Sequence, residues 1–407
     1  MGASSYASAP LFVVAPRTGM LLSVVMSHIG VAGAGFSGAV VARELAEAGH
    51  DVDVVDPRDH VAGNCHTERD AETDVMVHVY GPHIFHTQFS HVWDYVNRFG
   101  ELHPYRHRVM ATVGGRVYSM PVNLLTINQF FGTTMGPAEA AAFVEAKAER
   151  SGPAVSFEDQ GLGFVGRELY EAFFAGYTRK QWGTDPSELP ASILQRLPLR
   201  FTYDDSYFNH PYQGIPVDGY TPIVEAILDH PRITVSLSTA LARSEIASYD
   251  HVVWTGPIDA FFDHEHGRLA YRTLDFDRQT HEGDVQGCAV MNYCDADVAH
   301  TRITEFKHFT PWETHEGSVT YQEYSRECEP DDIPYYPIRL VRDKEQLHHY
   351  VELAKQVPGV TFVGRLGTYR YLDMDVTIKE ALDASAVLID SLRTGTKPPS
   401  FVVDPVN

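Results

Sequence analysis

Between His28 and Pro57 the chain reads HIGVAGAGFSGAVVARELAEAGHDVDVVDP. Ile29 to Ala32 is short and apolar, as a buried strand requires, and Ala39 to Ala48 carries apolar residues at helical spacing. Gly49 stops that helix, and Val52 to Val55 gives a second strand ending in Asp56. The turn between them, Gly33-Ala34-Gly35-Phe36-Ser37-Gly38, has GxGxxG spacing. Its glycines allow a tight turn and a close backbone approach to a pyrophosphate, which the helix N-terminus then stabilises. Asp56 is placed to bind the two hydroxyls of an adenosine ribose. An acid there suits FAD or NAD rather than NADP and leaves the choice between the first two open.

The residues after Asp56 narrow that choice. Pro57, Arg58 and a small-residue turn, Ala62-Gly63-Asn64, come directly after the second strand, where flavoproteins of the amine-oxidase type contact FAD. Near the other end stands GRLGTYRYLDMDVTIKEAL, Gly364 to Leu382, which reads as strand, turn and a helix from about Asp375. A late glycine-bearing strand before a helix N-terminus suits a flavin's ribityl chain and ring edge, which makes the FAD domain discontinuous.

Composition sets outer limits. A length of 407 residues exceeds a single core and predicts two or three domains. Lys+Arg of 32 against Asp+Glu of 54 gives a net charge of -22, which argues against nucleic acid as the main partner. Any anionic ligand must then meet a local island of arginine or lysine. Cys65, Cys288, Cys294 and Cys328 show no CxxC spacing and read as reduced, cytoplasmic thiols. His83 and His86 in HIFH lack a third ligand set, so no metal is expected. No run reaches the ~18 apolar residues of a membrane span. The apolar N-terminus is broken by Pro16, Arg17 and Gly19 and reads as an extension, with the working protein starting near Met20 or Met26.

The middle changes character twice. From Leu124 to Lys180 the apolar spacing is helical, and from Tyr203 to Phe309 short β-rich runs (ITVSL, HVVWTG, GCAVMNY, RITEF) predict an antiparallel sheet. Rings and arginines gather in FFAGYTRKQWG (Phe173 to Gly183), ILQRLPLRFTYDDSYF (Ile193 to Phe208) and MNYCDADVAHTRITEFKHF (Met291 to Phe309). A base stacks on rings, and a diphosphate needs arginine forks and tyrosine hydroxyls.

With these motifs in order, from YGPHIFHT and NLLTINQFF to YYPI and GRLGTYRYLDMD, the chain from about His28 to Leu392 resembles bacterial UDP-galactopyranose mutases. The resemblance implies an α/β fold: a Rossmann-like FAD-binding domain (28–105 and 330–395), a mainly helical domain with a mobile lid loop (106–202) and a six-stranded antiparallel sheet domain (203–329), after an extension, 1–27. It implies that Phe173, Phe174, Tyr177, Thr178 and Trp182 hold uridine. Arg196 on the lid and Arg302 on the sheet clamp the diphosphate, with Tyr207, Tyr336 and Tyr371 donating hydrogen bonds to it. Asn292, His107, His86 and Asp373 lie near the sugar and flavin, with Arg196, Arg302 and His86 as the catalytic set. Gly33, Ala34, Gly35, Phe36, Ser37, Gly38, Asp56, Pro57, Arg58, Asn64, Arg365, Tyr371, Asp373 and Met374 contact FAD. Arg179 and Lys180 read as less central. Ala62 stands where the family usually has glycine, a backbone position that glycine reaches more easily.

The reaction so implied is the conversion of UDP-galactopyranose to UDP-galactofuranose for cell-surface glycans, with no net redox change. The N5 of reduced flavin attacks the anomeric carbon and displaces UDP, and NAD(P)H serves only to reduce the flavin initially. A homodimer is also expected by resemblance. The rival readings are an FAD-dependent oxidoreductase of the amine-oxidase type, a nicotinamide dehydrogenase and a non-catalytic UDP-sugar-binding protein.

Overall fold

A computed structural model describes residues 26–196, 198–339 and 343–406. The expected extension, 1–27, therefore lies outside the described residues apart from Met26 and Ser27. Among the described residues no helix is long and apolar enough to cross a membrane.

The front of the chain forms the expected strand, helix and strand: His28–Ala32, Phe36–Glu47 and Asp51–Val55. These strands lie in a five-stranded parallel sheet in the order Ile233–Ser236, Asp51–Val55, His28–Ala32, His251–Trp254, Val360–Phe362. Ile29, Val31, Val54, Val252 and Val253 are wholly buried, as a sheet covered on both faces demands. The helix Phe36–Glu47 presents Ala39, Val40 and Ala42 inward and packs against Tyr220–Leu228 and Met374–Thr394. The long C-terminal helix thus closes the nucleotide fold from the far end of the chain.

A second, seven-stranded sheet runs Tyr336–Pro337, Tyr271–Glu282, Gly317–Glu327, Arg302–Glu305, Val290–Tyr293, Val109–Val113, Arg116–Met120. Every neighbouring pair is antiparallel except Val290–Tyr293 with Val109–Val113, which is parallel. Three helices, Leu124–Phe131, Pro137–Lys147 and Phe157–Val165, precede a continuous helical stretch from Arg167 to Trp182.

Four expectations need correction. The antiparallel sheet of six is a mixed sheet of seven. Two of its strands come from the segment expected to be helical, where VMATVGGRVYSM alternates across a Gly114-Gly115 turn. Conversely, ITVSL and HVVWTG were expected in the antiparallel sheet but pair in the parallel one. Short β-branched runs carry no mark of sheet type, although the unbroken burial of His251 to Val253 is what a parallel strand shows. Finally, Gly364–Gly367 is a helical turn rather than a strand; the strand is Val360–Phe362, just before it.

Candidate active site

The GxGxxG turn is shaped by contacts that forbid side chains. A Cβ on Gly38 would stand 1.9 Å from the Gly33 carbonyl oxygen, and Gly33 holds φ at +111°. Asp56 closes the turn: its carboxylate accepts from Ala34 N at 2.8 Å and from Arg58 N at 2.9 Å. Phe36 turns into the core with its ring 6.3 Å from Tyr220, so it offers a cofactor its backbone alone. Pro57 is exposed.

Two further turns converge here. Gly63 lies against Gly35, and Gly364 against Ser37, where a Cβ would come within 2.5 Å of the serine Oγ. Arg58 donates to Asn64 Oδ1 at 2.7 Å and stacks over Tyr80, and Arg365 donates to the Tyr335 carbonyl at 2.9 Å. Each keeps a buried nitrogen, Arg58 Nη1 and Arg365 Nε, with no protein partner. Two buried guanidinium donors beside a glycine turn at a helix N-terminus fit the pyrophosphate of a dinucleotide cofactor.

Ala62 adopts φ 71°, ψ -3°, the left-handed region. That strain costs about 1–2 kcal/mol. Glycine relieves it but gives up a buried methyl, about 0.8 kcal/mol, and adds unfolded-chain entropy of about 0.4–1 kcal/mol. Ala62→Gly should therefore be near-neutral in thermal melts. Ala62→Val places a β-branched residue at positive φ, so it should lose about 2 kcal/mol or more and retain less flavin. A Val variant as stable as wild type contradicts the strained turn.

From Arg365 the site continues into the sheet. The Arg365 guanidinium lies over Tyr371 at 5.2 Å and Tyr336 at 5.8 Å, whose centroids are 5.5 Å apart, with Trp182 6.3 Å from each. Register places Asn292, Arg302 and Glu323 side by side across three strands. Arg302 Nε donates to Glu323 Oε1 at 3.0 Å, and Nη2 lies 3.0 Å from the same oxygen. Burial works against the guanidinium's charge, but the Glu323 carboxylate beside it outweighs burial and holds the pKa well above the usual arginine value. Burial raises the phenols of Tyr177, Tyr207 and Tyr336, so they stay hydroxyl donors.

His107 stands beside this group, 5.5 Å from the Tyr207 ring. His86 stacks on Phe208 at 3.6 Å and shares one proton with His210 across a 2.7 Å Nδ1 to Nδ1 contact. Asp373 caps the start of the Met374–Thr394 helix, and Met374 packs against the core beneath it. Among the described residues neither His83 nor His86 belongs to a group of three or more side chains placed to hold a metal. Among the described residues the one such group is Asp284, Glu305 and His308, where Glu305 is already taken up by Val285 N, Gln286 N and Ser318 Oγ.

Burial pushes His78 and His107 down to about 3 and His83 to about 4. Unfolded imidazoles ionise near pH ~6.5. Stability from these neutral rings is complete above that pH and is lost as pH falls, because the unfolded chain takes up protons the folded chain refuses. His308, raised by its hydrogen bond to Glu305, works in the opposite sense, but His50, His66, His251 and His300 are also lowered by burial and add to the three. Urea titrations should therefore show stability falling by about 1 kcal/mol or more per buried imidazole between pH 6.5 and 5. A flat profile contradicts the buried neutral state.

The expected uridine residues divide. Phe173 is 2% exposed, with its ring 5.2 Å from Tyr118 and 5.5 Å from Phe130, and Phe174 and Thr178 are also buried. These are core contacts first; Tyr177 and Trp182 keep more accessible ring surface. The stretch Glu171–Ala175 is a π-helical turn, an insertion that recurs at functional sites and that residue spacing did not reveal. Arg196 ends the 3-10 turn Ala191–Arg196, and its side chain lies outside the described residues. Glu323 was not anticipated. Its signal is an acid continuing the buried face of Val319 and Tyr321 in an alternating strand.

Comparison with known proteins bears on the chain as a whole. A family model for UDP-galactopyranose mutase matches residues 172–371, and one for an NAD(P)-binding Rossmann-like domain matches 31–99. A Klebsiella pneumoniae protein named probable UDP-galactopyranose mutase is 57% identical over 377 residues, covering 92% of this chain and 98% of the relative. An Escherichia coli dTDP-fucopyranose mutase is 50% identical over 372 residues, covering 89% and 99%. The crystal structure of a reduced UDP-galactopyranose mutase superposes with a TM-score of 0.68 at 14% identity over 90% of this chain and 97% of that one, a likeness of fold.

Proposed function

Because the chain belongs to the UDP-galactopyranose mutase family, we propose that the residues gathered around Arg302 convert UDP-galactopyranose to UDP-galactofuranose. The observation that carries this reading is the half-buried Arg302, braced by the buried Glu323 and faced by tyrosine side chains on a chain of net charge -22. No such group is needed to oxidise an amine; a diphosphate needs it.

The reaction breaks and remakes the bond between C1 and the diphosphate oxygen and exchanges O5 for O4 in the sugar ring. The Gly33–Gly38 turn, Arg58, Asn64 and Arg365 would hold a reduced flavin, which would supply an electron-rich N5 as nucleophile for the anomeric carbon. Arg302 stabilises UDP as it leaves and retains it for the return step. Glu323 fixes the guanidinium plane, and Tyr207, Tyr336 and Tyr371 donate to phosphate oxygens. Arg196, on the turn before residue 198, closes the opposite side as the lid arginine. Tyr177 and Trp182 hold the base, with Phe173, Phe174 and Thr178 supporting them from the core. His107, neutral by burial, and His86, Asn292 and Asp373 surround the sugar. Asp56 adds its remaining lone pairs to the ribose.

The same reading carries FAD as the flavin, NAD(P)H as its initial reductant, a homodimer, a cytoplasmic enzyme and galactofuranose destined for cell-surface glycans. The relative named for dTDP-fucose shares with this substrate a pyrimidine, a diphosphate and a pyranose, the parts that Trp182 and Arg302 would grip. An oxygen electrode tests the amine-oxidase rival. The holoenzyme with UDP-galactose in air should consume no oxygen beyond slow flavin reoxidation, whereas stoichiometric oxygen uptake with hydrogen peroxide favours the oxidoreductase.

A further inference from the structure

Lys180 shares the helix of Tyr177 and Trp182, and its ammonium faces the seven-stranded sheet. Its Nζ lies 2.6 Å from the carbonyl oxygen of Tyr293, 2.9 Å from those of Asp295 and Val298, and 3.0 Å from that of His300. An ammonium has three protons, so four carbonyls share them much as they would share a bound monovalent cation. Tyr293 ends the strand Val290–Tyr293, next to Asn292, and the other three lie in the loop that runs from it to re-enter the sheet at Arg302.

The rest of the contact is close and backbone-mediated. A Cβ on Gly176 would stand 2.4 Å from the Cys294 carbonyl oxygen, and Ser325 Oγ donates to the Gln181 carbonyl at 2.7 Å. The helix therefore rests on the loop with nothing in between. Its neighbour Arg179 is exposed and pairs with Asp185. The two adjacent cations thus have different tasks.

We propose that Lys180 is a positioning residue whose ammonium serves as a built-in monovalent cation, folding the 293–300 loop and so fixing Asn292 and Arg302 relative to the helix of Tyr177 and Trp182. This rests on the reading of that helix as the uridine end and of Arg302 as the diphosphate end. A substrate held at both ends senses the distance between them, and a small misplacement weakens both grips at once. Removing the ammonium leaves a cage of carbonyl oxygens suited to a small cation and too narrow for a large one.

The test is a UDP titration of the reduced holoenzyme, with flavin absorbance as the check on folding. Lys180→Ala should keep its flavin and bind UDP about tenfold more weakly or worse, with a larger fall in kcat/KM. Ammonium chloride should restore most of that affinity, and tetramethylammonium chloride at equal ionic strength should not. Wild-type UDP affinity in Lys180→Ala, or equal effects of the two salts, overturns the proposal. If Lys180→Ala retains no flavin, Lys180→Arg decides: a planar fork cannot meet four convergent carbonyls, so UDP affinity should fall and ammonium should not help. Wild-type UDP affinity in Lys180→Arg overturns the proposal. A wild-type enzyme that binds no UDP overturns the uridine reading itself, which is visible before any variant is made.

Discussion

Arg302→Ala should keep its flavin and lose about 10²–10³-fold in kcat, the usual cost of removing one group aimed at developing charge. The guanidinium is the charge that Tyr177, Tyr207 and Tyr336 all face. Flavin binding should survive because Arg302 stands on the strand Arg302–Glu305, across the tyrosine pair from Arg58, Arg365 and the glycine turn. Flavin content and steady-state turnover measure both halves of the expectation. Near-wild-type turnover, or loss of flavin with turnover, removes Arg302 from its assigned role.

Glu323→Ala should be the most destabilising substitution in the site. Glu323 is 1% exposed and its Oε1 takes both contacts from Arg302 and one from Thr301 Oγ1. Removing the buried carboxylate leaves the part-exposed Arg302 charge uncompensated, at a cost of about 3 kcal/mol, the lower end for a buried pair. Turnover should fall as well, since the guanidinium plane is no longer held. UDP should recover part of the lost melting temperature, because its diphosphate supplies the missing negative charge. Glu323→Gln, which keeps the acceptor but not the charge, should fall between. Equal melting temperatures for wild type and Glu323→Ala would mean that the pair is not a closed unit.

The nucleotide fold was legible because its signals are local. Gly38 cannot be anything else while its Cβ would meet the Gly33 carbonyl, and Asp56 ends its strand where two backbone amides need an acceptor. Ala62 was also legible as a strained position, since glycine is the residue that reaches positive φ readily. Sheet membership was not. Ile233–Ser236 and Val290–Tyr293 are similar short runs, yet one joins the parallel sheet and the other the mixed sheet, a choice made by partners distant in sequence. Within the candidate site, the ring and arginine motifs mark segments that the structure brings together, but spacing does not show which of their side chains are buried. Phe173 and Tyr177 are one helical turn apart, and only the packing against Tyr118 and Phe130 shows that Phe173 belongs to the core. Arg179 and Lys180 are adjacent, and only the sheet shows which one is captured. Glu323 acquires its meaning from cross-strand register alone.

Ring exchange of a UDP-bound galactose without net redox change is the chemistry proposed for this site. Its most direct test is product analysis of the dithionite-reduced holoenzyme incubated anaerobically with UDP-galactofuranose. UDP-galactopyranose should appear as the product, formed by wild type and nearly abolished in Arg302→Ala. Unchanged UDP-galactofuranose with fully reduced flavin, or release of free galactose and UDP instead of isomerisation, would contradict it.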